Sequence, residues 1–212
     1  MQPEALLFDL DGTLTDSFEL WYAAVAEMVR RYGGRGLGRE EYRRRWWGMD
    51  GRTKLLELLP AARTRLDEFY GELVELLLAK VALVRPLPGR REALEAWSAA
   101  LPLAVISNGP MPFLEAQLRQ VGFEGFFAAK IADAAPKPSP EGILQACGEL
   151  GVEPARVVFV GDSRFDEQAA RAAGVGLVLV RETERLDDVL RATLGDPPVH
   201  GGPGKRVGRS GR

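Results

Sequence analysis

Apolar and polar positions follow two different rhythms along this chain. Ala5–Phe8 is a short unbroken apolar run that ends in Asp9, the pattern of a strand buried on both faces. Between residues 16 and 82 there is no strand signal. Ser17 stands where it can cap a helix over about Phe18–Tyr32, and Gly33–Gly38 (GGRGLG) ends it. Residues 39–82 stay helical in pattern, with breaks near Gly48–Gly51 and at Pro60, and the longest piece covers about Ala62–Ala82. Pro86-Leu87-Pro88-Gly89 is a stiff connector. After it the rhythm becomes alternating. Helices are predicted over Arg90–Ala100, Pro112–Val121, Pro140–Leu150, Phe165–Ala173 and Glu184–Leu194, three of them closed by Gly122, Gly151 and Gly174. Strands are predicted over Leu103–Ile106, Phe127–Ile131, Val157–Val160 and Val175–Val180. Apolar, non-alternating strands interleaved with helices predict an α/β fold, a doubly wound parallel sheet of Rossmann-like type. A small all-helical cap is inserted after its first strand. The expected division is a catalytic core of residues 1–15 and 86–196, a helical cap of residues 16–85, and a basic tail of residues 197–212 too poor in apolar side chains to pack.

At 212 residues the chain is long for one minimal domain and short for two, which agrees with one core carrying an insertion. Its 46% hydrophobic and 27% charged residues are the mix of a soluble globular protein. No run reaches the length of a membrane span, and MQPEALLFDLDG does not read as a signal peptide, so a cytoplasmic protein is expected. The net charge of −2 argues against a dedicated nucleic-acid binder. The tail's Lys205, Arg206, Arg209 and Arg212 have no aromatic residue among them to stack a base, and read as solvated. The single cysteine, Cys147, lies in an amphipathic stretch and reads as a small core residue. The single histidine, His200, lies in the Gly/Pro-rich end, so a Ser-His-Asp triad or an HExxH zinc site cannot be built in the body. Any chemistry must run on carboxylates, hydroxyls, lysine or arginine.

Ligands of a doubly wound sheet bind at the carboxyl ends of its strands, and here those ends are unusually polar. The first strand runs into Asp9-Leu-Asp-Gly-Thr-Leu-Thr-Asp16, the second into Ser107-Asn108-Gly109, and the fourth into Gly161-Asp-Ser-Arg-Phe-Asp166. Between them, prolines flank Lys137 in Pro136-Lys-Pro-Ser-Pro-Glu141. Asp9 and Asp11 are two apart in extended chain and so point to one face. At about 4 Å and an effective dielectric near 20, they repel by roughly 4 kcal/mol. Asp162 and Asp166 add to that repulsion, so the set calls for a cation, and oxygen-only ligands suit Mg²⁺. Gly12 permits the tight turn between them.

These four motifs, in this order across about residues 4–182, resemble the haloacid dehalogenase superfamily, and within it the phosphoglycolate phosphatase and beta-phosphoglucomutase group. The resemblance implies that Asp9 is a nucleophile forming an aspartyl-phosphate and that Asp11 is the general acid and base. It implies Mg²⁺ on the Asp9 carboxylate, the Asp11 main-chain carbonyl, Asp162 and Asp166. Ser107, Asn108 and Gly109 would meet the phosphoryl oxygens, and Lys137 would neutralise them and hold the nucleophile. The expected activity is Mg²⁺-dependent hydrolysis of a small phosphorylated metabolite, of phosphoglycolate or sugar-phosphate type, with no nucleic acid or membrane as partner. Asp11 argues against a dehalogenase or phosphonate hydrolase, while a phosphomutase and a catalytically silent binding module stay open. In the cap, WWGMDGRTKLL breaks the helical pattern and presents Arg52, whose planar fork suits a carboxylate or second phosphate on the substrate's far end.

Overall fold

Five parallel strands form the central sheet in a computed structural model that describes residues 2–198. The strands are β1 (Ala5–Asp9), β4 (Leu103–Ile106), β5 (Ala129–Ile131), β6 (Val157–Gly161) and β7 (Gly176–Leu179), and they lie in the order β5-β4-β1-β6-β7. Every residue of β1 is buried, because β4 and β6 flank it and helices cover both faces. Side-chain alternation divides the core. Ala5 and Leu7 of β1 face Ile143 and Cys147 of α7 (Glu141–Leu150) and Ala169 and Ala170 of α8 (Arg164–Ala173). Leu6 and Phe8 face the opposite cluster. It holds α5 (Arg90–Ser98), α6 (Met111–Val121) and α9 (Leu186–Leu194), and continues without a break into the inserted helices. Cys147 is a buried core residue, as its amphipathic setting predicts.

The insert consists of α1 (Phe18–Arg31), α2 (Arg39–Arg45), α3 (Gly51–Leu58) and α4 (Leu66–Ala79), packed around Trp21, Tyr42, Leu55, Phe69 and Leu73. Two details differ from the sequence pattern. A two-stranded antiparallel ribbon of β2 (Thr15–Asp16) and β3 (Arg85–Pro86) ties together the two chain passages into and out of the insert. Two-residue strands are too short for any periodicity to reveal. The last helix begins at Leu66, later than expected, because Pro60–Arg63 forms a separate 3₁₀ turn with proline at its first position. Arg90, completely buried, fastens this base to the core. Its guanidinium donates to the carbonyls of Thr13 (2.7 Å), Pro88 (2.7 Å) and Glu184. Among the described residues no helix is long and apolar enough to cross a membrane. The expected basic tail, His200 included, lies outside the described residues except for Pro197 and Pro198.

Candidate active site

Parallel strands end on one edge of the sheet, so the four motifs meet there although they are far apart in sequence. Asp9 is the last residue of β1, Ser107 follows β4, and Asp162 follows β6. Asp166 lies in the first turn of α8, and Lys137 comes from the loop between β5 and α7. Gly12 turns the chain away from β1 with φ of 91°, and a Cβ there would meet an Asp162 carboxylate oxygen at 2.5 Å. Glycine is therefore what lets β6's acid approach β1's.

Lys137 is the pivot of the crevice. Its ammonium pairs with Asp9 and, at 2.6 Å, with Asp166. Burial alone lowers a lysine pKa. Here the facing charges of Asp166 and Asp9 outweigh it and raise Lys137 above its ordinary value, so it stays charged. The second oxygen of Asp166 accepts from the Ser163 hydroxyl (2.6 Å) and the Ser163 amide (3.0 Å), closing a capping box at the start of α8. Asp162 accepts from the Thr13 hydroxyl at 3.2 Å. Burial pushes the Asp162 carboxyl up to about 7, reinforced by the charge of Asp166 and opposed by Lys137. Burial also holds Asp9 well above the usual carboxylate range, against the pull of Lys137.

Asp9, Asp162 and Asp166 bring one carboxylate oxygen each to within 4.8 Å of one another. Three carboxylates against one ammonium leave two negative charges to balance. Asp9 Oδ2 is buried without any hydrogen-bond partner. A small divalent cation with oxygen ligands fits both the charge and the orphaned atom.

The structure corrects the expectation that Asp9 and Asp11 act as a paired face. The chain bends after β1, and the Asp11 carboxylate lies outside the three-acid cluster. Its Oδ1 accepts from the Ser17 hydroxyl (2.5 Å), the Trp21 indole N–H (3.0 Å) and the Gln117 amide (3.0 Å). Its Oδ2 accepts from the Ser107 hydroxyl at 3.1 Å. Ser17 therefore does not cap α1 with its side chain, as its position predicts; its hydroxyl is spent on Asp11. Asn108 also serves a different neighbour. It donates to the carbonyls of Gly48 (3.0 Å) and Lys137 (3.2 Å) and accepts from the Lys137 amide at 2.8 Å, joining the β4 end, the lysine loop and the insert. Gly109 N donates to the Ser107 hydroxyl at 2.9 Å.

Two cations of the insert stand in contrasting places. Arg52 is exposed, pairs with Asp67 at 2.7 Å and lies over the Tyr70 ring. It lines an outer cavity of about 290 Å³ that also touches Ser107, Asn108 and Asp133. Lys54, only 2% exposed, lines the inner cavity with Asp9, Asp11 and Lys137. Burial lowers the Lys54 pKa to about 8, although Asp11 and Asp50 oppose the shift.

Lys54, Trp21 and Gln117 are site residues that sequence reasoning missed. A signal existed for two of them. Gln117 falls on the buried face of α6, among Phe113, Leu114, Leu118 and Val121, and Lys54 adjoins Leu55 on the buried face of α3. A polar residue at a core position of an amphipathic helix needs a partner. Trp21 offers no such signal, since a tryptophan on an apolar helix face looks like core.

The chain is similar to known phosphatases. A phosphoglycolate phosphatase of Pseudomonas putida is 35% identical over 189 residues, covering 83% of this chain and 68% of that protein. An N-acetylmuramic acid 6-phosphate phosphatase of Pseudomonas aeruginosa is 29% identical over 196 residues, covering 85% of this chain and 83% of its own. The crystal structure of CbbY from Rhodobacter sphaeroides in complex with phosphate superposes with a TM-score of 0.73 at 29% identity, over 84% of this chain and 86% of that one. The family model for haloacid dehalogenase-like hydrolases matches residues 3–174, a span that takes in every residue of the crevice. The chain belongs to the haloacid dehalogenase-like hydrolase family.

Proposed function

We propose that this phosphatase hydrolyses a small phosphomonoester of phosphoglycolate or sugar-phosphate type through an aspartyl-phosphate on Asp9. The observation that carries the reading is the Asp9 carboxylate. One oxygen is held by Lys137, and the other is buried, free of partners and surrounded by Asp162 and Asp166. Asp9 attacks phosphorus while the bond to the ester oxygen breaks. Asp11 delivers a proton to that leaving oxygen, then takes one from the water that attacks the Asp9 phosphoryl group and releases phosphate. Ser17, Trp21 and Gln117 fix the Asp11 carboxylate at the entrance to the insert. Lys137 offsets charge on the transferring oxygens and keeps Asp9 aimed, and the Ser107 hydroxyl and the amides beside it would hydrogen-bond those oxygens. Mg²⁺ would be held by Asp9, Asp162, Asp166 and the Asp11 main-chain carbonyl. When bound it supplies neutralisation of the phosphoryl oxygens and of the acids that hold it.

The inner cavity measures about 20 Å³, room for about one water. Substrate therefore enters when the insert moves away from the strand ends, and closure expels water from the reacting centre. Trp47, Gly48 and Met49 of the insert line that cavity, and the Asn108–Gly48 hydrogen bond and the Arg43–Glu182 ion pair (3.4 Å) join the two parts in the closed arrangement. A second anionic group on a longer substrate would lie toward Arg52 in the outer cavity.

The test is phosphate release from phosphoglycolate and from sugar phosphates, with Mg²⁺ and with EDTA. Acid-quenched wild type should carry a phosphoryl group that Asp9→Asn protein lacks. Turnover that is indifferent to EDTA, or an isomeric sugar phosphate as product in place of free phosphate, would overturn the proposal.

A further inference from the structure

Lys54 has no part in the reaction steps above, and its placement calls for an account. It sits on the insert at the end of the first turn of α3, with its residue 2% exposed. Among the described residues its ammonium makes no ion pair and donates no hydrogen bond. It lies over two aromatic faces, Trp21 at 4.0 Å and Tyr42 at 5.6 Å from the ring centres, while Asp11 and Asp50 act on it without pairing with it. Cation–π contact returns only part of the hydration that a buried ammonium gives up. A charged side chain that is buried and unpaired lowers stability unless something that comes and goes completes it.

Its position says what that something is. Lys137 stands on the nucleophile's side of the crevice, tied to Asp9 and Asp166. Lys54 stands on the other side. Trp21, whose ring it covers, donates its indole N–H to Asp11, the group that protonates the leaving oxygen. Atoms bonded to the leaving oxygen therefore meet Lys54, while the phosphoryl oxygens already have Lys137. An ammonium has three donors and no acceptor, so its complement is an anionic or strongly accepting group.

We propose that Lys54 is a specificity-determining residue: its ammonium binds an anionic substituent, such as a carboxylate, carried close to the ester oxygen on the alcohol half of the substrate. The inference rests on the phosphatase reading and goes beyond it by naming the residue that selects the leaving group. Arg52, tied to Asp67 outside the inner cavity, cannot do this for a short substrate. The acids that line the inner cavity with Lys54 are Asp9, Asp11, Asp162 and Asp166, none of them in an ion pair with it, so a carboxylate on a short substrate can take its ammonium directly.

The experiment compares steady-state kinetics of wild type, Lys54→Met and Lys54→Arg, with Mg²⁺, on phosphoglycolate and on p-nitrophenyl phosphate, whose leaving group is an uncharged aryl. Lys54→Met keeps the length and apolar stem. It should raise KM for phosphoglycolate by about tenfold to a hundredfold, the scale of one charge-assisted hydrogen bond. Its loss on p-nitrophenyl phosphate should stay within a few-fold, and Lys54→Arg should recover part of the phosphoglycolate loss. Equal losses on both substrates would mean that Lys54 acts on the phosphoryl group or through Trp21 and Asp11, and would overturn the proposal, as would no loss on either. Should Lys54→Met fail to fold by circular dichroism, wild type alone decides. It should prefer phosphoglycolate over the isosteric carboxamide by about tenfold or more in kcat/KM, and equal use of the two refutes the idea. Wild type that hydrolyses none of these esters fails the phosphatase reading itself, a result distinct from hydrolysis without preference.

Discussion

The two walls of the crevice handle buried charge in opposite ways. On the sheet side, the acids are tied down within the protein, although three carboxylates face one ammonium. Lys137 bridges Asp9 and Asp166, Asp166 closes a capping box, Asp162 takes the Thr13 hydroxyl, and only one oxygen of Asp9 stays unmatched. On the insert side, the buried charge is a single lysine over aromatic rings, and the paired cations are on the surface. The sheet wall is prebuilt for one chemical event. The insert wall is left incomplete, to be finished by whatever is attached to the phosphoryl group. On the proposed reading, reaction is centred on the strand ends and selection on the insert, and the two are joined where Ser17 and Trp21 donate to Asp11.

Four changes test that separation, in falling order of effect. Asp9→Asn is expected to cut turnover below about a hundredth of wild type, because an amide of nearly the same shape is a far poorer nucleophile, while circular dichroism stays native. Retained turnover would move the chemistry away from the sheet wall. Asp162→Ala should abolish thermal stabilisation by Mg²⁺. In wild type that stabilisation amounts to about 2.7 kcal/mol at a hundredfold excess of Mg²⁺ over Kd, read as a shift in Tm. A wild-type melt that ignores both Mg²⁺ and EDTA would leave the acid cluster without its cation.

The third change works on stability and on the other wall. Lys54→Met should stabilise the metal-free protein at pH 7 by about 1–3 kcal/mol, since a buried ammonium is replaced by an apolar chain of similar volume. The pH dependence follows from the sign of the shift. Burial lowers the folded-state pKa of Lys54 to about 8, with Asp11 and Asp50 opposing. Below pH 8 the charge costs the folded state its full penalty. Between there and the ordinary lysine value of about 10.4 the unfolded chain binds the extra proton, so wild-type stability rises with pH relative to the variant. Denaturant melts of the pair across that range should converge, and a gap constant with pH would mean that the fold does not lower the Lys54 pKa. The smallest effect is expected for Arg52→Ala. Its ion pair with Asp67 is on the surface, so stability should change by under about 1 kcal/mol. KM should rise only for substrates long enough to carry a second anion into the outer cavity.

Much of this was legible beforehand in particular residues. The apolar run Ala5–Phe8 between Glu4 and Asp9 is a buried parallel strand on any reading, and β4 falls on Leu103–Ile106 as its apolar stretch predicts. The glycines at 122, 151 and 174 close α6, α7 and α8 where the pattern put them. Asp9, Ser107 and Asp162 stand out because each ends or follows an apolar run at a strand's carboxyl end, Asp166 because it completes the motif that starts at Gly161, and Lys137 because prolines flank it, and the sheet gathers those ends on one edge. The sequence by itself determined the five strands of the main sheet, the longer helices and the edge on which the four motifs gather, because local periodicity and the rule for parallel sheets act over short stretches of chain.

Only the tertiary structure decided the partners. Ser17 looked like a helix cap and proved to serve Asp11, since that carboxylate lies closer to its hydroxyl than the amides of α1. The Asp11 carboxylate lies outside the three-acid cluster, held by Trp21 and Gln117, 10 and 106 residues away in sequence. Arg52 and Lys54, two residues apart on α3, part company because an α-helix turns about 200° over that interval. One side chain is thereby sent to solvent and Asp67, the other under Trp21 into the crevice. Hydrogen bonds and buried charges are settled by groups brought together from distant parts of the chain, and no local pattern records where those groups will be.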